Sequence, residues 1–262
     1  MDFGLVDKVA LVAASSKGLG KAVAIGLAEE GANVIICSRD PNNLKLASEE
    51  IQKTGRNCLA VPTDLTNYSQ VQNLVNQSIK QFKKIDILVT NCGGPPSGEF
   101  LDFSIEDWKQ AIDLNLMSTI YLCKEVIPHM VKQNNGRIIM ITSVSVKQPL
   151  KGLILSNVAR AGVAGLAKSL SNEFGKNNIS VNVVCPGYTQ TQRVDQLAEK
   201  LSVKQGKKPE EMIQDWAKLN ALRRIATPQE FANVVIFLAC ERASYLTGTT
   251  IQIDGGFVKG LL

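Results

Sequence analysis

The sequence predicts a doubly wound α/β fold, one parallel sheet with helices on both faces. Three observations predict it: short runs rich in Val and Ile alternate with longer segments of helical period, those runs lack the polar alternation of a half-solvated sheet, and the links between them are short.

The first run, "KVALVAA" at 8–14, leads through a glycine loop into a helix over 18–30. Then come "NVIICS" with a helix over 41–53, "CLAVPT" with 67–82, and "IDILVTN" with 104–131. "GRIIMITS" is followed by 156–175, "ISVNVVCPG" by a long insert and a helix over 228–240, and "TTIQIDGG" closes the pattern. Repeats and low-complexity tracts do not interrupt it, and α/β sheets of this size form single domains, so 1–262 is read as one domain. The excursion over 188–226 follows a strand end, where open parallel sheets bind ligands, and is expected to be a substrate lid; the alternative is a peripheral helical decoration.

Composition narrows function. The net charge of +5 is mild, and the one basic cluster, Lys200, Lys204, Lys207 and Lys208, lies in a Glu-containing helical stretch, the pattern of a solvated face. Nucleic-acid binding is not expected, while an anionic substrate remains open. Without an apolar run long enough to span a bilayer or a cleavable leader at its start, the chain is expected to be cytoplasmic and free of membrane. Six scattered cysteines and a lone His129 argue against metal, a disulfide scaffold, and any Ser-His-Asp or Cys-His nucleophile. The cysteines read as small core hydrophobes.

Function starts at "AASSKGLGKA". Gly18 and Gly20 remove side chains where backbone and helix approach a pyrophosphate, and the first amides of the helix supply donors. Together with "NCGG" at 91–94, the asparagine of "DLNLMS", "ITS" at 141–143, "NVVCPGYTQT" at 182–191 and the terminal "GTTIQIDGG", this loop resembles the short-chain dehydrogenase/reductase family, especially its β-ketoacyl-carrier-protein-reductase-like branch. The resemblance covers almost the whole chain and implies a seven-stranded Rossmann-type sheet, NAD(P)(H) binding and a homo-oligomer, with a tetramer favoured. Ala14 stands where the family has its first glycine.

A ribose 2′-hydroxyl wants a carboxylate at the end of the second strand, whereas a 2′-phosphate wants cations and hydroxyls. Ser38 and Arg39 occupy that end, with Ser15, Ser16 and Lys17 in the glycine loop ahead of Gly18, Leu19 and Gly20; NADP(H) is expected. Asp40, one step further along, keeps NAD(H) as the alternative. The resemblance further implies that Asp64 and Leu65 flank the adenine and that Asn91 and Gly93 lie near the adenosine ribose. By the same resemblance Pro186, Gly187, Thr189 and Thr191 hold the nicotinamide carboxamide.

Hydride transfer to a carbonyl creates an alkoxide, so the site must supply a proton and donors to the oxygen. In the resembled family a serine, a tyrosine thirteen positions on and a lysine four further do so. The matching positions here are Ser143, Ser156 and Arg160, with no gap. An aliphatic hydroxyl is a far weaker acid than a phenol, and a guanidinium holds cofactor hydroxyls and charge but passes no proton. Asn115 matches the family asparagine that holds a water in the proton path, or else caps a helical irregularity. Ser143 donates to a carbonyl oxygen or only forms a turn. Of the tyrosines at 68, 121, 188 and 245, Tyr188 is expected to approach the nicotinamide pocket; Lys147 and Lys151, in the loop before Ser156, are further stand-ins. The reading is therefore an NADP(H)-dependent oxidoreductase of small or acyl-linked carbonyls with an altered active site. Its rival is a cofactor-binding protein without catalysis.

Overall fold

The computed structural model describes residues 2–261, and the Lys204 side chain of the basic cluster lies outside the described residues. The strands are β1 Val9–Val12, β2 Asn33–Ser38, β3 Cys58–Pro62, β4 Ile87–Thr90, β5 Gly136–Ile141, β6 Ile179–Pro186 and β7 Thr250–Ile253. They form one parallel sheet in the order β3-β2-β1-β4-β5-β6-β7. The helices are α1 Gly18–Glu29, α2 Pro41–Gln52, α3 Tyr68–Phe82, α4 Ile105–Ile112, α5 Ser118–Gln133, α6 Ile154–Phe174, α7 Gln192–Gln205, α8 Pro209–Leu219 and α9 Pro228–Ala239.

Alternate residues of a strand point to opposite faces, and here both faces are dry. Leu11, Ile35, Leu88, Ile138 and Val181 lie in register across the sheet and pack beneath α3, α5 and α6. Their neighbours Val12, Ile36, Ile87 and Ile139 pack against α1, α2 and α9 on the other side. That double burial is why the strands carry no polar alternation. Between β1 and β4 the chain's direction of travel along the sheet reverses, which opens a crevice at the C-terminal strand ends.

The helix expected over 104–131 is broken. Ser104 caps α4, but Asp113–Met117 forms a wider π turn before α5 begins. Side chains account for it: Asn115 Nδ2 donates to the Ala111 carbonyl at 3.2 Å, Ser118 Oγ to Leu114 at 2.6 Å and Thr119 Oγ1 to Asn115 at 3.2 Å. Such back-bonding competes with the regular ladder.

The insert over 188–226 carries α7 and α8 around a small core of Ala198, Met212 and Trp216. Its neck is closed, because Ala226 N donates to Tyr188 O at 3.1 Å and Gln190 N to Ala226 O at 2.8 Å. Lys200, Lys207 and Lys208 are solvent-exposed, and Lys207 pairs with Asp215 at 2.7 Å. Across the neck, Arg224 forks onto Glu230 at 2.6 and 2.8 Å while Thr227 and Glu230 cap α9 reciprocally. The Arg224 guanidinium and the cap hold the Glu230 carboxyl down from 4.5 to about 2. A depressed carboxylate stabilises the fold fully above its unfolded value, and that contribution is lost as pH falls towards the folded one. Glu230→Gln is therefore expected to lower the melting temperature near pH 7 and to lower it less near pH 3. An equal deficit at both pH values in thermal melts would refute the linkage.

Candidate active site

Ala14 turns the chain out of β1 with a φ of 47°, the left-handed region that favours glycine. Asn91, at the end of β4, donates from Nδ2 to the Ala14 carbonyl at 3.2 Å and so ties the two walls of the crevice together. Gly20 completes the joint: a Cβ there would lie 2.5 Å from Ala14 O and 2.9 Å from Asn91 Nδ2. Gly18 has a φ of 60° and opens α1, whose first amides face the crevice end.

Not every residue expected in the phosphate cradle reaches it. Ser15 is fully buried, donates from Oγ to Val12 O at 2.6 Å and from its amide to Cys37 O at 3.0 Å, so it shapes the loop and has no donor left for a ligand. Ser16 and Leu19 are half-buried, and Lys17 and Arg39 are exposed. Asp40 is consumed as the cap of α2, accepting from Asn42 and Asn43 amides at 2.9 and 3.2 Å. These bonds, the Asn43 amide foremost, hold its carboxyl below the usual range. Ser38 Oγ donates to the Asp40 carbonyl at 3.1 Å. A carboxylate so engaged is not free for a ribose hydroxyl. Asp64 accepts from Thr66 N and Oγ1 at 3.0 and 2.8 Å, Leu65 is buried, and a Cβ on Gly93 would meet nothing within 4 Å.

On the far wall, Gly187 presses against Asp254, whose Cα would lie 2.8 Å from an added Cβ. Pro186 and Thr189 are buried beside it. Thr191 lies over Gly18, Gln192 accepts from Lys17 Nζ at 3.2 Å, and Arg193 Nη2 donates to Pro95 O at 3.2 Å. The first turn of the insert thus spans the crevice. Sequence reasoning had not singled out Gln192 or Arg193, since neither belongs to a periodic or glycine motif.

At the centre, Arg160 is 8% exposed. It donates from Nε to Ser156 Oγ at 3.1 Å and from Nη1 to the Thr142 carbonyl at 3.0 Å. The spacing of four on α6 brings the two side chains onto one face. Ser143 Oγ accepts from Ser145 N at 3.1 Å; the Ser145 hydroxyl is buried with no partner among the described residues. Cys92 donates to Asn115 Oδ1 at 3.5 Å, so the π turn faces the end of β4. Burial pushes the Cys92 and Cys185 thiols up, while the Arg160 charge, and for Cys185 also a Thr142 hydrogen bond and Lys147, pulls the other way. The guanidinium therefore sits among the ends of β4, β5 and β6. Lys151 is exposed, and Lys147 is half-buried.

Tyr188 is half-buried at the neck of the insert. Its ring stacks on Trp216 with centroids 4.6 Å apart and meets Phe257 edge-on at 5.8 Å, and burial pushes its phenol up. It braces the insert against the sheet. The structure brings together Ser143, Asn115, Ser156 and Arg160, and adds Cys92 and Thr142.

A family model described as enoyl-(acyl carrier protein) reductase matches residues 13–258. The oxidoreductase UcpA of Salmonella typhimurium is 37% identical over 255 residues, covering 96% of this chain and 95% of that one. The 3-oxoacyl-[acyl-carrier-protein] reductase FabG of Chlamydia muridarum is 33% identical over 253 residues, covering 96% and 98%. Among solved structures, the L-sorbose reductase from Gluconobacter frateurii complexed with NADPH and L-sorbose aligns with a TM-score of 0.95 at 32% identity, over 100% of both chains.

The crevice joint makes a test. Gly20→Ala, which drives a methyl into the Ala14 carbonyl, is expected to cost about 1–3 kcal/mol in denaturant unfolding. Gly93→Ala, facing open space, should stay within about 0.5 kcal/mol of native. Equal stability of the two variants would contradict this geometry.

Proposed function

The chain belongs to the short-chain dehydrogenase/reductase family, a family of oxidoreductases, and from that membership we propose an NADP(H)-dependent enzyme acting on carbonyl and alcohol groups at an altered site. The observation that carries the cofactor preference is Asp40, whose carboxylate is committed to its helix cap while Ser38, Arg39 and Lys17 stand at the same strand end. Cations and hydroxyls without a free carboxylate suit a 2′-phosphate. The L-sorbose reductase, solved with NADPH, supports the same choice.

In this reading the Gly18–Gly20 turn and the first amides of α1 receive the pyrophosphate, Asp64 and Leu65 border the adenine, and Asn91 and Gly93 border its ribose. Pro186, Gly187, Thr189 and Thr191 take the carboxamide end, and Arg160 reaches the nicotinamide-ribose hydroxyls. A bound nicotinamide supplies the hydride. Ser143 and Ser156 orient the substrate oxygen: each hydroxyl accepts a bond from the protein and keeps its own proton to donate. The insert over 188–226 serves as the lid, its Arg193 and Gln192 closing over the crevice. The enzyme works in the cytoplasm as a homotetramer, with exposed apolar Ile105 on α4 and Val158 on α6 on the pairing faces.

Neither Ser156 nor Arg160 is a useful acid, and loss of a general acid costs about 10²–10⁴ in rate. That observation also favours a second reading, cofactor binding without turnover. NADPH binding by the native protein, followed by fluorescence, tests the first half. Consumption of NADPH on a panel of ketones, ketoacyl thioesters and sugars tests the second. Ser156→Tyr combined with Arg160→Lys is expected to raise ketone reduction by about 10²-fold or more. If the native protein binds NADPH and only the double variant turns over, the result favours the binding reading or a substrate outside the panel.

A further inference from the structure

At the end of β5 remote from the crevice stands another buried arginine. Arg137 is 7% exposed and forms no ion pair among the described residues. Its Nη1 donates to the Gly136 carbonyl at 2.9 Å, to Asn135 Oδ1 at 3.3 Å and to the Asn178 carbonyl at 3.3 Å, and these oxygens fix the guanidinium in place. The other edge of the group is unused. Nε is buried with no partner, and Nη2 bonds to nothing among the described residues. A buried donor without an acceptor is costly, and more so on a cation.

Arg137 lines a small cleft between the starts of β4 and β5 and the C-terminal end of α9, with Gly4 on its rim. The cleft holds about 10 Å³ of water-sized space, room for one small group. Two carboxylates share it, and each already has its own cation. Lys84 lies 2.9 Å from Asp86, which also accepts from the Val9 amide at 2.8 Å, and Lys8 lies 3.3 Å from Glu241. Beside Gly4, the Asp2 carboxylate accepts from the Gly4 amide at 2.8 Å while Arg242 Nε donates to the Asp2 carbonyl at 3.5 Å, a pair of opposite sign that leaves the balance unchanged. Arg137 is the charge left over. The end of α9 at Ala239 eases that charge through its dipole but lends Nε no acceptor.

We propose that this cleft is a binding site for a small carboxylate, held side-on by the Nε–H and Nη2–H of Arg137. The spacing of those two donors matches the two oxygens of a carboxylate, and such paired bonds are charge-assisted. Ile87 and Ala239 offer an apolar wall to a short alkyl group, and the limited room excludes a long one. Chloride uses the charge but not the fork. Phosphate at neutral pH brings further negative charge against Asp86 and Glu241. The site is independent of the nicotinamide crevice, which lies at the other end of β5, where Arg160 bonds the Thr142 carbonyl.

The test titrates acetate into the full chain at constant ionic strength, beside chloride, phosphate and hexanoate. Binding is followed by the NMR line width of the ligand's own signal and by the shift in melting temperature. Saturable acetate binding is expected with a Kd of roughly 1–10 mM, since a ligand of so few atoms has little more to offer. The other anions are expected to bind at least about 10-fold more weakly. Arg137→Gln removes fork and charge together and is expected to weaken acetate binding by about 10-fold or more. Glu241→Gln, at an exposed position, removes a carboxylate that faces the bound anion and is expected to tighten binding by about threefold. That opposite sign keeps the test decisive if Arg137→Gln does not fold. Equal responses to chloride and acetate, a titration that never saturates, native affinity in Arg137→Gln, or an affinity that Glu241→Gln leaves unchanged or weakens would each overturn the proposal. Acetate held at Arg160 instead would be blind to Glu241→Gln and so counts among those outcomes.

Discussion

Reversal of the strand order between β1 and β4 is the constraint from which the site follows. Loops leaving neighbouring strands in opposite directions cannot cover their own ends, so a crevice must remain there. At its base the Asn91 amide meets the Ala14 carbonyl, a contact that a side chain at position 20 would pry open. Ala14 accepts a left-handed backbone to present that carbonyl, at a steric cost of about 1–2 kcal/mol that glycine would not carry. The loop keeps the conformation because Ser15, beneath it, is bonded to β1 and β2 at once.

Much of this was legible in the sequence because it depends on periodicity and on glycine. The unbroken Val/Ile runs announced a sheet buried on both faces, and Leu11, Ile35, Leu88 and Ile138 on one face with Val12, Ile36 and Ile139 on the other are that double burial. Three features were not legible. The break in the helix over 104–131 depends on three side chains choosing backbone acceptors one turn back, a choice that no apolar period records. The task of Tyr188 depends on Trp216, twenty-eight residues away, stacking on it. The engagement of Ser15 and Asp40 is likewise local geometry: both carry the right chemistry for a ligand and spend it on the backbone.

A buried cation without a carboxylate partner among the described residues is unusual, since removing charge from water is costly unless it is matched. Arg160 meets that cost only in part, through two neutral acceptors. Charge left unmatched in a partly dry site attracts anions and stabilises negative charge that forms nearby. The same field reaches Cys92 and Cys185 on the neighbouring strand ends. The Ser145 hydroxyl, two residues beyond Ser143, is buried without a partner among the described residues.

The substitutions at 156 and 160 are therefore better understood as one change than as two losses. A guanidinium at 160 is bulkier than an ammonium, and its Nε–H needs an acceptor one helical turn earlier; the Ser156 hydroxyl lies at that spot. The two residues are joined by that bond, and together they trade a group that moves a proton for a group that holds a charge. What the pair gives up is protonation of a strong base; what it keeps, and strengthens, is the capacity to hold a weak one.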